Sequence, residues 1–300
     1  MFENIIGNKE NKNILSRTVF TNNVSHSYIF SGISGIGKFL FAKEFAKAIL
    51  CTGENKPCNN CNSCESIENN NNPDFIIIDE QENSIKTEQI KDLTSDVLEK
   101  PIKGSKKIYI INNSENMTKE AQNALLKTLE EPPEYAIIIL VTSNENLLLN
   151  TIKSRCIKIL FNPLSDSEIL EYFKNNNEEI QPNMVSTFGG SIEKAINLKD
   201  KIEIYENIQN VLNNIEQLNE LEILKLKDEF LNDKDEIFSI LDYMNTCFYK
   251  KIMSDLSKSD KYNKCIQAVE EAKNRLRRNS NYDMTIDNLL FAIERSIANG

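Results

Sequence analysis

The chain contains no tryptophan, a single histidine, and no glycine or proline between Gly190 and Gly300. The missing tryptophan carries no functional weight. With one histidine, any Ser/His or Cys/His catalytic pair would have to use His26, whose place at the start of a predicted strand marks it as a packing residue. The long stretch without backbone breakers predicts nearly continuous helix beyond Gly190. Long apolar runs are missing as well. Phe75 to Ile78 and Ile137 to Val141 are strand-sized, far short of the roughly 20 residues that span a bilayer, so no membrane association is expected. Met1-Phe2-Glu3-Asn4 has no basic segment leading into an apolar one, which predicts a cytoplasmic protein. Basic residues are outnumbered, 35 Lys plus Arg against 45 Asp plus Glu, for a net charge of -10 and a pI near 4.9. That balance argues against a protein that coats nucleic acid by its own field. The deficit is uneven: residues 1–162 carry 18 basic and 20 acidic side chains, residues 163–300 carry 17 and 25. Any DNA contact is therefore expected in the amino-terminal half, or shared with partners.

What is present suits two or three domains. Three hundred residues, 40% of them apolar, exceed what one hydrophobic core usually organises. In the first half, short apolar runs (Ser27 to Phe30, Phe75 to Ile78, Ile108 to Ile111, Ile137 to Val141, Ile157 to Phe161) alternate with helical patterns. Runs apolar on both faces and separated by helices predict a parallel five-stranded sheet covered on both sides. One helix carries Ala42, Phe45, Ala46 and Ile49 at i, i+3, i+4, i+7. Another carries Ala121, Ala124, Leu125 and Leu129 and is stopped by Pro132-Pro133. This α/β domain is expected to occupy residues 1–162. A small helical domain follows over 163–205, opened by the capping box Ser165-x-x-Glu168 and interrupted at Phe188-Gly189-Gly190-Ser191. An all-α domain follows over 206–300, where Ile237, Leu241, Met244 and Phe248, and then Ile286, Leu289, Leu290 and Ile293, form helical stripes. Arg275, Arg277 and Arg278, the one basic cluster of this acidic half, read as a solvated helix face.

Gly32-Ile33-Ser34-Gly35-Ile36-Gly37-Lys38 fits G-x-x-x-x-G-K between a strand and a helix, the context in which that pattern makes a P-loop. The glycines let backbone N–H groups turn inward as an anion nest, and the lysine adds a point charge for the β and γ phosphates. The next residue departs from a hydrolysing site. Where a Ser or Thr hydroxyl would hold Mg²⁺, Phe39 offers no oxygen. A second departure follows the strand Ile108 to Ile111, where Asn112 and Asn113 stand in place of metal-orienting carboxylates. An amide oxygen is a weak metal ligand and no general base, so ATP hydrolysis is expected to be absent. The alternative source of acids is Asp79-Glu80 after Phe75 to Ile78, and strand order decides between the two. Four cysteines cluster as Cys51-x6-Cys58-x2-Cys61-x2-Cys64. The tight C-x2-C-x2-C turn brings sulfur ligands to tetrahedral reach and predicts a structural Zn²⁺ site, with an iron–sulfur cluster as the rival. Cys156, Cys247 and Cys265 are isolated and read as buried apolar thiols. An odd count of seven and the predicted compartment argue against a disulfide framework.

In order along the chain, these motifs resemble a known family. His26 to Gly32, the P-loop, the four-cysteine insertion, Asn123-Ala124-Leu125-Leu126-Lys127-Thr128-Leu129-Glu130-Glu131-Pro132-Pro133 and Thr151-Ile152-Lys153-Ser154-Arg155-Cys156 are similar to the bacterial sliding-clamp loaders, AAA+ subunits of the DNA polymerase III holoenzyme. The resemblance covers about residues 1–200 by motif and the remainder only by helical character. It implies an AAA+ domain, a small helical lid and a helical collar that joins a ring. Within the family the motor subunits, gamma and tau, keep the metal-binding hydroxyl and the acidic pair. Loss of both at Phe39, Asn112 and Asn113 is the pattern expected of the delta-prime type. Such a chain lacks ATPase and polymerase activity of its own while forming part of the holoenzyme. By the same resemblance Arg155 matches the arginine finger that reaches a neighbouring subunit's ATP, and Asn144 lies where a nucleotide sensor is placed. Glu193 or Lys194 stands where the family's second sensor is an arginine, so ATP binding is expected to be weak or absent. Implied partners are the gamma/tau and delta subunits and, through the assembled complex, the sliding clamp and primed DNA. An active motor subunit and a zinc-containing nucleotide-binding adaptor outside replication are the alternatives.

Overall fold

The computed structural model describes residues 1–178, 180, 185, 188–199, 202–214, 237–278 and 280–298. The chain divides into two compact units, Met1–Ala195 and Ile196–Gly300.

The first unit is built on β1 (Ser27–Ser31), β2 (Phe75–Ile78), β3 (Lys107–Ile111), β4 (Ala136–Thr142) and β5 (Ile157–Leu160), all parallel, in the order β2-β3-β4-β1-β5. Every residue of β1, β3 and β4 is buried, as a strand covered on both faces requires. The edge strands show their position by exposure: Ile77 on β2, and Ile157 and Leu160 on β5. Helices α1 (Lys9–Phe20), α2 (Lys38–Leu50) and α3 (Asn62–Glu68) cover one face. There Tyr28 and Phe30 pack on Phe45, and Phe161 links Phe30 to Phe41, with ring centroids 4.9–6.3 Å apart. Alternation sends Ile29, Tyr109, Ile138 and Leu140 to the other face, under α4 (Thr87–Asp96), α5 (Lys119–Glu130) and α6 (Asn150–Lys153). The side chain of Thr118 caps α5, and the helix ends just before Pro132-Pro133. α7 (Asp166–Asn175) opens with the reciprocal capping box of Ser165 and Glu168 that the spacing predicts. The first residues of α8 (Ile192–Lys199) lie in this unit.

The second unit is helical: α9 (Ile202–Asn214), α10 (Ile237–Ser254), α11 (Ser259–Arg277) and α12 (Tyr282–Ala298), with α10 packed on both α9 and α11, and α11 packed on α12. The predicted stripes are the buried ones, Ile237, Leu241, Met244 and Phe248 on α10 and Ile286, Leu289, Leu290 and Ile293 on α12. Residues 215–236 of the predicted continuous helix lie outside the described residues. Arg275 pairs with Glu271 one turn away at 2.5 Å, and the Arg277 guanidinium lies over the Phe238 ring. No described helix is long and apolar enough to cross a membrane.

Candidate functional site

The P-loop runs from the end of β1 into the first turn of α2. Gly35 and Gly37 hold φ of +76° and +86°, left-handed values that make an inward-facing N–H nest and that side chains with a Cβ rarely adopt. Gly32 is required by crowding: a Cβ there would lie 2.5 Å from the Phe161 carbonyl oxygen on the neighbouring strand end. Lys38 is buried, and its ammonium donates to the Ile33 carbonyl at 2.6 Å. Burial holds the Lys38 pKa below the ordinary lysine value, partly offset by the carboxylates of Glu115 and Glu193. Phe39 points the other way. Its partly buried ring packs on the core cluster under α2 and offers no oxygen of its own.

Strand order decides the question of the acids. β2 lies three strand spacings, about 14 Å, from the P-loop strand β1, so Asp79-Glu80 at its end belongs to the far edge of the sheet. The Asn112 and Asn113 amides are turned toward that edge. Their Nδ2 atoms donate to the two Asp79 carboxylate oxygens at 2.9 and 3.2 Å, and Asn116 Nδ2 donates to Glu80 at 2.6 Å. The amides at the end of β3 thus clamp a structural carboxylate. The acid that does act on Lys38 from this side is Glu115, which the sequence reading passed over. Burial pushes its carboxyl upward, but hydrogen bonds from the Ser143 hydroxyl and amide outweigh this and hold it below the usual carboxylate range. No spacing rule singles out Glu115, because its approach to Lys38 depends on the turn Ser114–Asn116.

Asn144 caps a single 3₁₀ turn, its Oδ1 accepting from the Asn146 amide at 3.2 Å. His26 Nδ1 lies 3.3 Å from the Ala136 carbonyl oxygen at the starts of β1 and β4. Arg155 lies between α6 and β5, exposed, at the rim of the sheet. Its guanidinium donates to Glu130 Oε1 at 2.6 Å and to the Thr151 carbonyl at 2.8 Å, so it lies against the end of α5.

Cys51, Cys58, Cys61 and Cys64 converge, with all four Sγ atoms within 4.8 Å of one another. Ligands about 2.3 Å from a tetrahedral centre stand about 3.8 Å apart, so the cluster fits one ion of that geometry. Backbone N–H groups reinforce it: Gly53 and Cys58 donate to Cys51 Sγ at 3.3 Å, and Cys64 donates to Cys61 Sγ at 3.5 Å. These bonds favour the thiolate form that a metal needs. The donor set is all sulfur, and a structural metal is what such a closed site can hold.

Sheet order, P-loop and following helical segment define a P-loop protein of the AAA+ class. A family model described as "DNA polymerase III, delta subunit" matches residues 7–165. The chain belongs to this family, the AAA+ clamp-loader subunits of bacterial DNA polymerase III. It is 31% identical over 211 residues to the DNA polymerase III subunit delta' of Bacillus subtilis, an alignment covering 69% of this chain and 64% of that protein. It is 31% identical over 228 residues to the subunit gamma of Buchnera aphidicola from Schizaphis graminum, covering 72% and 62%. The chain thus spans less than two thirds of the length of either relative. Among solved structures, a gamma subunit-related protein from Thermotoga maritima superposes with a TM-score of 0.52 at 19% identity, over 94% of this chain and 99% of that one, which shows a shared fold.

Proposed function

We propose that the chain is the non-hydrolysing, delta-prime-type member of a bacterial clamp loader and supplies Arg155 in trans to the ATP of a neighbouring gamma or tau subunit. The observation that carries this reading is a pair of independent losses beside a retained finger. Phe39 offers no oxygen where a hydroxyl would hold Mg²⁺, its partly buried ring packing on the core instead, and the Asn112 and Asn113 amides hold Asp79. Arg155 meanwhile stays at the surface, held by a solvent-open ion pair with Glu130 and by hydrogen bonds to its own turn at Thr151 and Ser154. Such a pair is worth about 0.2–1 kcal/mol, so the guanidinium is free to leave Glu130 for a more highly charged phosphate. In this reading the partners are gamma/tau and delta subunits, with the sliding clamp and primed DNA engaged through the assembled ring in the cytoplasm. Residues 163–205 act as the lid and 206–300 as the collar. Exposed Tyr249, Met253 and Leu256 near the end of α10 offer apolar contact area for that role. The four cysteines hold one structural Zn²⁺, which contributes to folding of the insertion and takes no part in turnover.

The test is ATP turnover by the isolated chain with Mg²⁺. Background rates are expected. Turnover that Lys38→Ala abolishes would identify an active motor subunit instead.

A further inference from the structure

The P-loop is engaged from within the first unit. α8 begins against it: the backbone N–H groups of Ile192 and Glu193 donate to the Gly35 carbonyl at 2.9 and 3.3 Å. The Ser34 hydroxyl donates to Glu193 Oε2 at 3.1 Å. A Cβ on Gly35 would lie 2.2 Å from Ser191 Oγ and 2.5 Å from Glu193 Cβ, so loop and helix touch across the glycine. The loop is therefore held from within. The first N–H groups of α8 lack helical partners, and here two of them are taken up by the Gly35 carbonyl, which pins α8 and its Glu193 to the loop. The Lys38 ammonium likewise donates inward, to Ile33. Charge adds to this. Lys38 is the cation of the nest, and both Glu115 and Glu193 act on it, so one positive charge meets two negative ones.

We propose that Glu193 is an internal anion that keeps this P-loop closed to nucleoside triphosphates, and that its removal opens a Lys38-dependent phosphate site. The proposal rests on the non-hydrolysing reading above but concerns binding, which Mg²⁺-free conditions isolate from turnover. A triphosphate entering the nest must displace Glu193 from Ser34 and lie beside two carboxylates. Substituting Glu193→Ala removes the Ser34 acceptor and one like charge together. Glu193→Gln keeps an acceptor for Ser34 and removes only the charge, which separates electrostatic from steric closure.

The experiment is equilibrium binding of a fluorescent ATP analogue to the full, zinc-loaded chain in buffer without Mg²⁺ or chelator, for wild type, Glu193→Gln, Glu193→Ala and Glu193→Ala with Lys38→Ala. Glu193 is exposed, so the variants are expected to fold, with circular-dichroism melts matching the wild type. Wild type should show no saturable signal at millimolar nucleotide. Glu193→Ala should bind at least about tenfold more tightly, the scale of one like charge removed beside a polyanion. Glu193→Gln should fall between them, and the added Lys38→Ala should abolish binding. Wild-type binding equal to that of Glu193→Ala, or no binding by either, would overturn the proposal. Turnover by wild type in a parallel Mg²⁺ assay would instead overturn the non-hydrolysing reading and leave the Mg²⁺-free comparison intact.

Discussion

At the scale of single residues, the polar side chains buried in this fold act mainly as backbone partners. Asp74 is the clearest. It is buried just ahead of β2, and its carboxylate accepts from the amides of Ile102, Lys103 and Gly104 at 2.7, 2.7 and 3.0 Å. One side chain thus satisfies three N–H groups of the loop leading into β3. An Asn amide offers a single acceptor oxygen and would turn an NH₂ group toward at least one of those donors. Asp74→Asn is therefore expected to destabilise the amino-terminal unit by about 1–3 kcal/mol, the cost of leaving buried donors unpaired. The shift in its denaturant midpoint measures this. A midpoint within error of the wild type would mean that the loop detaches without cost. Nothing in the sequence distinguishes Asp74 from the acids around it, because its partners lie 28 to 30 residues further along the chain.

At the scale of elements, legibility divides between local and long-range features. The five strands and α2 and α5 could be read directly, since fully buried strands show unbroken apolar runs and covering helices show a 3.6-residue stripe. The P-loop and the cysteine cluster were equally plain, being short and defined by spacing. Sheet order was not, because it depends on which faces pack rather than on any local signal, and so Asp79 could be assigned to the far edge only from the fold. The contacts of Glu115 with Ser143 and of Glu193 with Ser34 were hidden for the same reason. The cysteine insertion carries a prediction of its own. Cys51 ends α2, Cys61 and Cys64 start α3, and Ile67 on α3 is buried in the core beside the sheet. Metal removal should therefore loosen the segment 51–64, seen as faster hydrogen exchange there, while amides of β1, β3 and β4 stay protected. Thiol alkylation at pH 8 gives a second readout. Burial pushes the Cys156 and Cys265 thiols up to about 11 and about 12, and raises Cys247 as well, so these stay protonated and unreactive. Alkylation of the chelated chain should thus fall within segment 51–64, led by the less buried Cys58 and Cys61, and the zinc-loaded chain should show none there. Iron in the purified protein, or loss of the whole fold on chelation, would contradict the assignment.

At the scale of the whole molecule, the proposed function turns on a chemistry that the chain does not perform on its own nucleotide. On that proposal, with no hydroxyl at Phe39 and amides at Asn112 and Asn113, the exposed guanidinium at the rim of the sheet serves a neighbour's phosphate rather than one of its own. Arg155 is positioned by the turn after α6 and held against α5 by Glu130. Because that pair is open to solvent, Glu130 orients the arginine without locking it. Arg155→Ala is therefore expected to leave the chain folded and able to join a ring reconstituted with gamma/tau and delta subunits, while lowering DNA-stimulated ATP hydrolysis and clamp loading. Loss of one finger costs on the order of 10³ in the step it serves, although intact motor sites elsewhere in the ring mask much of this at steady state, so single-turnover measurement is the sharper readout. Arg155→Lys should recover little, since an ammonium cannot bridge two phosphate oxygens as the planar guanidinium does. Glu130→Gln should leave the rate close to wild type, because it frees the finger rather than removing it. Loss of assembly in Arg155→Ala would make the residue an interface contact only. Unchanged hydrolysis in a ring of verified composition would mean that the neighbouring ATP is served by another group.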